Sequence, residues 1–212
     1  MYVPKQFEET SVPALHELIR VHPLGTLVTL TGTGLCANHV PFEIDPEPAP
    51  FGTLRGHVAR ANRVWREYRP EVDALVSFQG PDTYISPSWY VTKQETGKVV
   101  PTWNYAVVHV HGALRVIEDR GWLRSLVERL TEQHEAGRTN RWKVGDAPAD
   151  YIDKQVAAIV GLEIPIARLI GKWKVSQNRP AQDRQAVVTA LEDQGGEASA
   201  AMADLVRRYG DK

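Results

Sequence analysis

The stretch "VPTWNYAVVHVHGALRVIE", residues 100–118, decides the fold. From Ala106 onward it reads as a strand, the longest in the chain. Val108, Val110, Gly112, Leu114 and Val116 alternate on one face. His109, His111 and Arg115 fall on the other, the two-residue period of a half-buried sheet strand. Directly before it stand Pro101, Thr102, Trp103, Asn104 and Tyr105. A strand start requires none of these polar and aromatic groups, whereas a flat ligand would use all of them.

Other strands flank this one. Toward the N-terminus, "SVPALHELIRVHP" (11–23) predicts a short helix, with Ser11 able to cap it and Pro23 after its end. "LGTLVTL" (24–30) and "CANHVPFEI" (36–44) read as strands joined by the turn "TGTG". "DPEPAP" is a proline-stiffened loop, "TLRGHV" (53–58) a third strand, and "NRVWREY" (62–68) a short helix beginning at Asn62. "DALVSF" (73–78) is a fourth strand. Toward the C-terminus, "GWLRSLVERLTEQHE" (121–135) and "APADYIDKQVAAIV" (147–160) predict helices. "LEIPIARLIGKWKV" (162–175) returns to strand, with Pro165 marking an edge or a bend. "DRQAVVTALE" and "EASAAMADLVRRY" end the chain as two helices around "DQGG". The early strands lack the crossover helices that parallel pairing needs. The expected architecture is α+β: a partly open, antiparallel, Greek-key-like β-barrel with peripheral helices and a helical C-terminus. Residues 1–182 are expected to form the barrel domain with its inserted helices, and 183–212 a helical appendage of that domain.

Composition narrows the function classes. The 212 residues are 42% apolar and 24% charged, as expected of a packed globular chain, and the formal net charge is -1. That charge argues against a nucleic-acid binder working by bulk electrostatics. The one cysteine, Cys36, excludes an intramolecular disulfide and a cysteine-based metal cluster. His109 and His111 permit two ligands of a metal, but no third is evident, and no metal is expected. No apolar run approaches the roughly 18 residues of a membrane span, and the N-terminus lacks a signal-peptide core. A cytoplasmic location is expected.

Three further stretches carry candidate chemistry. "LRGHVARANRVW" (54–65) joins a strand to a helix, and Arg60 and Asn62 at that turn suit an anion such as phosphate. Alternatively, Asn62 is a helix cap and Arg60 solvated surface. "FQGPDTYISPSWY" (78–90) places Tyr84, Trp89 and Tyr90 among turn residues, to wall a ligand or anchor a loop. "GKWKVSQNRPAQDR" (171–184) gathers Lys172, Trp173, Lys174, Ser176, Gln177, Asn178 and Arg179, able to contact a phosphate or a ring's polar edge, or simply an exposed strand end. Common nucleotide-binding, hydrolase and zinc signatures are absent from the sequence.

In order, "MYVPKQF", "NHVPF", "LRGHVARAN", "FQGPDTYISPSWY", "VPTWNYAVVHVHG" and "KWKVSQNR" resemble the PaiB-like family of FMN-binding negative transcriptional regulators. The resemblance runs from Met1 to about Arg184. It implies the FMN-binding split-barrel fold, shared with pyridoxamine-phosphate oxidases and flavin reductases. It also implies a homodimer with FMN at the dimer interface. The resemblance further suggests His57, Arg60 and Asn62 for the phosphate. For the ring system it suggests Thr102, Trp103 and Asn104, with Lys174, Gln177 and Asn178 from the last strand. Trp103 would offer a flat face, or else serve core packing or a dimer contact. The family name suggests DNA binding. The helix–turn–helix candidate at 183–209 begins its second helix with "EASAAMADL", which has no early side chain suited to reading bases. The expected function is a flavin-dependent regulator acting indirectly or by another surface. The alternatives are an FMN-dependent oxidoreductase on a small substrate and a barrel that has lost its flavin.

Overall fold

The computed structural model describes residues 1–210. The chain forms two compact units. The first gathers Met1–His22, Phe78–His109 and the chain from Ile170 onward; the second comprises Pro23–Ser77 and Val110–Leu169.

In chain order the elements are β1 (Glu8–Glu9), α1 (Val12–Val21), β2 (Leu24–Thr31), β3 (Gly34–Asp45), β4 (Thr53–Ala59), α2 (Val64–Glu67) and β5 (Ala74–Ile85). There follow α3 (Thr92–Thr96), β6 (Thr102–Gly112), β7 (Arg115–Ile117), α4 (Arg120–Glu135) and α5 (Ala149–Ala157). β8 (Ile159–Pro165), β9 (Arg168–Lys174), α6 (Ala181–Gln194) and α7 (Glu197–Tyr209) complete it.

The second unit is built on antiparallel strands in the order β5-β2-β3-β4-β8-β7. β2 and β3 form a hairpin whose last pair is Thr31↔Gly34, so "TGTG" is the expected turn. Gly34 has φ 119, a backbone conformation that favours glycine. β4 pairs β8 with His57 opposite Gly161, and β7 pairs β8 with Arg115 opposite Glu163. Helix α4 lies over this sheet, where Arg129 Nε donates to Glu43 Oε1 at 2.8 Å. Beneath the helix Leu123 packs with Val144, Ile152 and Val156. The strand–helix spacing depends on Gly161, where a Cβ would stand 2.4 Å from the Trp122 ring.

In the first unit the strand order is β1-β9-β6-β5. Leu15, Leu18 and Ile19 of α1 are buried, as helical spacing predicts. A Cβ at Gly171 of β9 would meet Leu15 Cδ2 at 2.2 Å, so only glycine admits α1 this closely. Ser11 occupies the cap position of α1 without a side-chain cap bond; its backbone N–H donates to Glu9 Oε1 at 2.8 Å. Helices α6 and α7 are separated by Gly195 and Gly196, at φ 69 and 87, a turn that glycine accommodates without strain.

Three sequence expectations shift. The long strand is two, because the chain breaks after Gly112, where a Cβ would lie 2.2 Å from the carbonyl oxygen of Pro165. Conversely, Thr102–Tyr105 belong to β6 rather than preceding it, so alternate side chains there point to opposite faces. The helix expected from Asn62 shrinks to the single turn of α2. At Pro165 the chain bends, with β8 lying between β4 and β7 rather than at an edge.

Candidate functional site

The start of β6 builds an exposed aromatic surface on the first unit. Trp103 is 54% exposed, which rules out the core-packing alternative for this residue. Its ring meets Tyr84 of β5 edge-on, at 6.1 Å between centroids and 73° between planes. Lys174, at the end of β9, donates from Nζ to Thr102 Oγ1 and, at 2.6 Å, to the backbone oxygen of Trp103. An ammonium has three N–H donors, so one is left for a further acceptor. Burial, and then the charges of Lys172 and Arg179, hold the Lys174 pKa below the usual lysine value.

Positive charge accumulates here. Lys172 Nζ lies 5.2 Å from the Tyr105 ring centre and 5.9 Å from that of Tyr2. The Arg179 guanidinium lies 4.5 Å from the Tyr90 ring centre. These are cation–π distances. None of Lys172, Lys174 and Arg179 has a carboxylate partner among the described residues. An anion or an electron-rich ring edge would complement this field.

The other residues expected at the ring divide. Asn104 is 1% exposed, and its Nδ2 donates to Ser176 Oγ at 2.9 Å. Ser176 adopts φ 69, a conformation uncommon for a residue other than glycine. Gln177 turns back on its own strand end, accepting from Val175 N at 2.7 Å and donating to Trp173 O at 2.6 Å. Asn178 is exposed in the turn that follows. Thr102, Trp103 and Lys174 are thus brought together, while Asn104 and Gln177 shape the strand end. Half-buried Tyr105 and Arg179 and the buried Lys172 adjoin this cluster. The i, i+2 spacing of Lys172 and Lys174 on a strand was the sequence signal for the lysines.

His57, Arg60 and Asn62 lie on the second unit. Arg60 donates through Nε to Ala157 O at 3.1 Å and through Nη2 to Ile159 O at 3.2 Å, and Nη1 pairs with Glu118. Asn62 accepts from Val64 N at 2.9 Å and donates to Asn38 Oδ1 at 2.8 Å. His57 Nδ1 is buried without a hydrogen-bond partner, and burial lowers the imidazole pKa. Two Arg60 N–H groups beyond these bonds remain to serve a ligand. Among the described residues no group of three His, Cys, Asp or Glu side chains could hold a metal ion. Nor, among them, is any helix long and apolar enough to cross a membrane.

The architecture is that of a split-barrel flavoprotein. It is shared with the flavocytochrome Anf3 from Azotobacter vinelandii, at a TM-score of 0.61 and 13% identity, over 81% of this chain and 72% of that one. The chain belongs to the family described as "Putative FMN-binding domain", whose model matches residues 1–168, and FMN is the cofactor of that family. It is 31% identical to protease synthase and sporulation protein PAI 2 of Bacillus subtilis, over 97% of this chain and 96% of that protein. It is 34% identical to an uncharacterized protein of Emericella nidulans, over 100% of this chain and 98% of that one.

Proposed function

We propose that the protein is a cytoplasmic homodimer that uses bound FMN to regulate a partner, and that it does not read DNA with its own helices. The observation that carries the flavin part is the cluster of exposed Trp103 and Tyr84 with half-buried Lys174. A flat apolar face stands beside an ammonium with a donor to spare, in a field of unpaired positive charge. That donor set fits the ring and polar edge of a flavin. When bound, FMN supplies electron transfer, and a nearby cation tunes its potential.

The chain's own residues then have distinct tasks. Trp103 covers the ring, while Thr102 orients Lys174 toward the polar edge. Asn104 and Gln177 hold the end of β9, and Asn178 lies at the rim. His57, Arg60 and Asn62 are assigned to the phosphate, with the Arg60 guanidinium held in position by Glu118 and two backbone carbonyls.

The regulatory part is supported by the full-length similarity to the sporulation protein. Direct DNA readout is disfavoured by α7. Its first turns expose Glu197, Ala198 and Ala200, none of which donates a hydrogen bond to a base from its side chain. Arg207 and Arg208 are paired with Glu192 and Asp204. A second reading, an FMN oxidoreductase, is favoured by the exposure of Trp103 and Tyr84, which leaves room for a second planar molecule. Titration with FMN in a sedimentation experiment tests the proposal, with a dimer binding one FMN per chain as the expected result. A monomer that leaves FMN fluorescence unchanged would overturn it. Flavin reduction by NADH or NADPH faster than that of free FMN would favour the oxidoreductase.

A further inference from the structure

The first unit contains a cleft of about 830 Å³ between α1 and α7. Its floor is Trp173 and Ala106. On β9, Trp173 alternates with Lys172 and Lys174, and on β6, Ala106 alternates with Trp103 and Tyr105. The cleft therefore opens on the face of these strands opposite the aromatic and cationic surface. Its walls are Leu18 and Val21 from α1 and Ala198, Ala201, Leu205 and Tyr209 from α7. Alanines at two wall positions of α7 leave the space that larger side chains would fill. A mostly apolar cleft of a few hundred to a thousand Å³, with a few polar groups, is the ordinary form of a small-molecule site.

The charges at its edge select the ligand. Glu17, Glu197 and Asp204 line the cleft, against Arg208 alone. His22 also lines it, and burial lowers its pKa, which favours the neutral imidazole. Asp204 is neutralised by Arg208 at 2.7 Å, and Glu17 by Arg20 at 3.5 Å. Among the described residues no salt bridge neutralises Glu197, whose carboxylate stands at the rim.

We propose that this cleft binds a small organic cation, with an apolar body against Trp173, Leu18 and Leu205 and an ammonium group facing Glu197. The site draws on no residue assigned to FMN, so it stands or falls separately from the flavin reading.

Equilibrium dialysis against two probes of similar shape and opposite charge, 1-naphthylethylammonium and 1-naphthaleneacetate, tests the proposal on the full chain. The ammonium should bind at least tenfold more tightly than the carboxylate. Glu197→Gln should remove most of that preference. Ala198→Trp, at an exposed position, and Leu205→Trp should each weaken the ammonium at least tenfold. Melting temperature and FMN titration establish that the variants are folded. Equal affinity for the two probes, no binding of the ammonium at millimolar concentration, or unchanged binding in a folded Ala198→Trp protein would overturn the proposal. So would dissociation of a dimer by Ala198→Trp, which would make the cleft a contact between copies of the chain. Loss of FMN binding with the ammonium preference intact would count against the flavin site alone.

Discussion

Replacing Lys174 with Met removes one charge and keeps an unbranched stem of similar length. The ammonium already serves Thr102 Oγ1 and the backbone oxygen of Trp103. Its remaining N–H is the one assigned to the flavin. A hydrogen bond from a charged donor contributes about 1.5–3 kcal/mol. Lys174 is only half-buried, so solvent screening places the effect at the low end of that range. About 1.4 kcal/mol corresponds to a tenfold change in Kd, so FMN should bind roughly tenfold more weakly. The folded chain should notice less. The charged form of Lys174 is disfavoured by burial and by Lys172 and Arg179, so its removal relieves repulsion while Thr102 and Trp103 lose donors. The expected change in stability is within about 0.5 kcal/mol, the ordinary range for surface substitutions. Quenching of FMN fluorescence at fixed ionic strength gives the Kd, and a thermal melt without flavin gives the stability. A Kd unchanged within a factor of about two, in a folded variant, would refute the placement of the flavin at Lys174. A large fall in Tm with an unchanged Kd would make Lys174 a structural residue.

The remaining expectations are narrower. Trp103→Ala should weaken FMN by about three- to tenfold, from an aromatic contact of about 0.5–1.5 kcal/mol; its stability cost should fall below the about 3–5 kcal/mol of a fully buried tryptophan. Arg60→Ala should weaken FMN about tenfold more than riboflavin, from loss of a charge-assisted bond, and equal weakening of both would remove Arg60 from the phosphate site. Burial holds the pKa values of His22, His57 and His111 below the usual 6.5. Below that pH the unfolded chain takes up protons that the native chain refuses. Tm should therefore fall as pH drops through about 6.5 toward the lowered native values, and His57→Gln should flatten the profile; a Tm that rises on acidification would contradict it. Gly171→Val should destabilise by about 1–3 kcal/mol or more, as overpacking does, because the added Cβ meets Leu15; a thermal melt equal to that of the parent chain would contradict that packing.

Local signals made much of the fold legible. The alternation after Ala106, the "TGTG" turn and the apolar spacing of α1 and α4 are short-range patterns, and each corresponds to an element of the structure. The split barrel itself came from six ordered stretches rather than from any one of them. What stayed hidden depends on distant partners. Position 112 requires glycine because a Cβ there would meet the carbonyl oxygen of distant Pro165, and Arg60 is bound by carbonyls at Ala157 and Ile159. Asn104 looked like a ligand group beside Trp103, but one step along a strand reverses the face, and its amide lies buried against Ser176. Gln177 reads from the sequence as a free polar group, whereas both its bonds return to the end of β9. Tyr105 and Arg179 read from the sequence as able to contact a ligand; that Tyr105 meets Lys172 and Arg179 meets Tyr90, partners from elsewhere in the chain, is not encoded in local spacing.

A crystal structure of the protein with FMN tests the central claim most directly. The account predicts the ring system against Trp103, with Lys174 Nζ in hydrogen-bonding reach of its polar edge. Electron density for FMN bound elsewhere, with Trp103 and Lys174 both left in solvent, would contradict it.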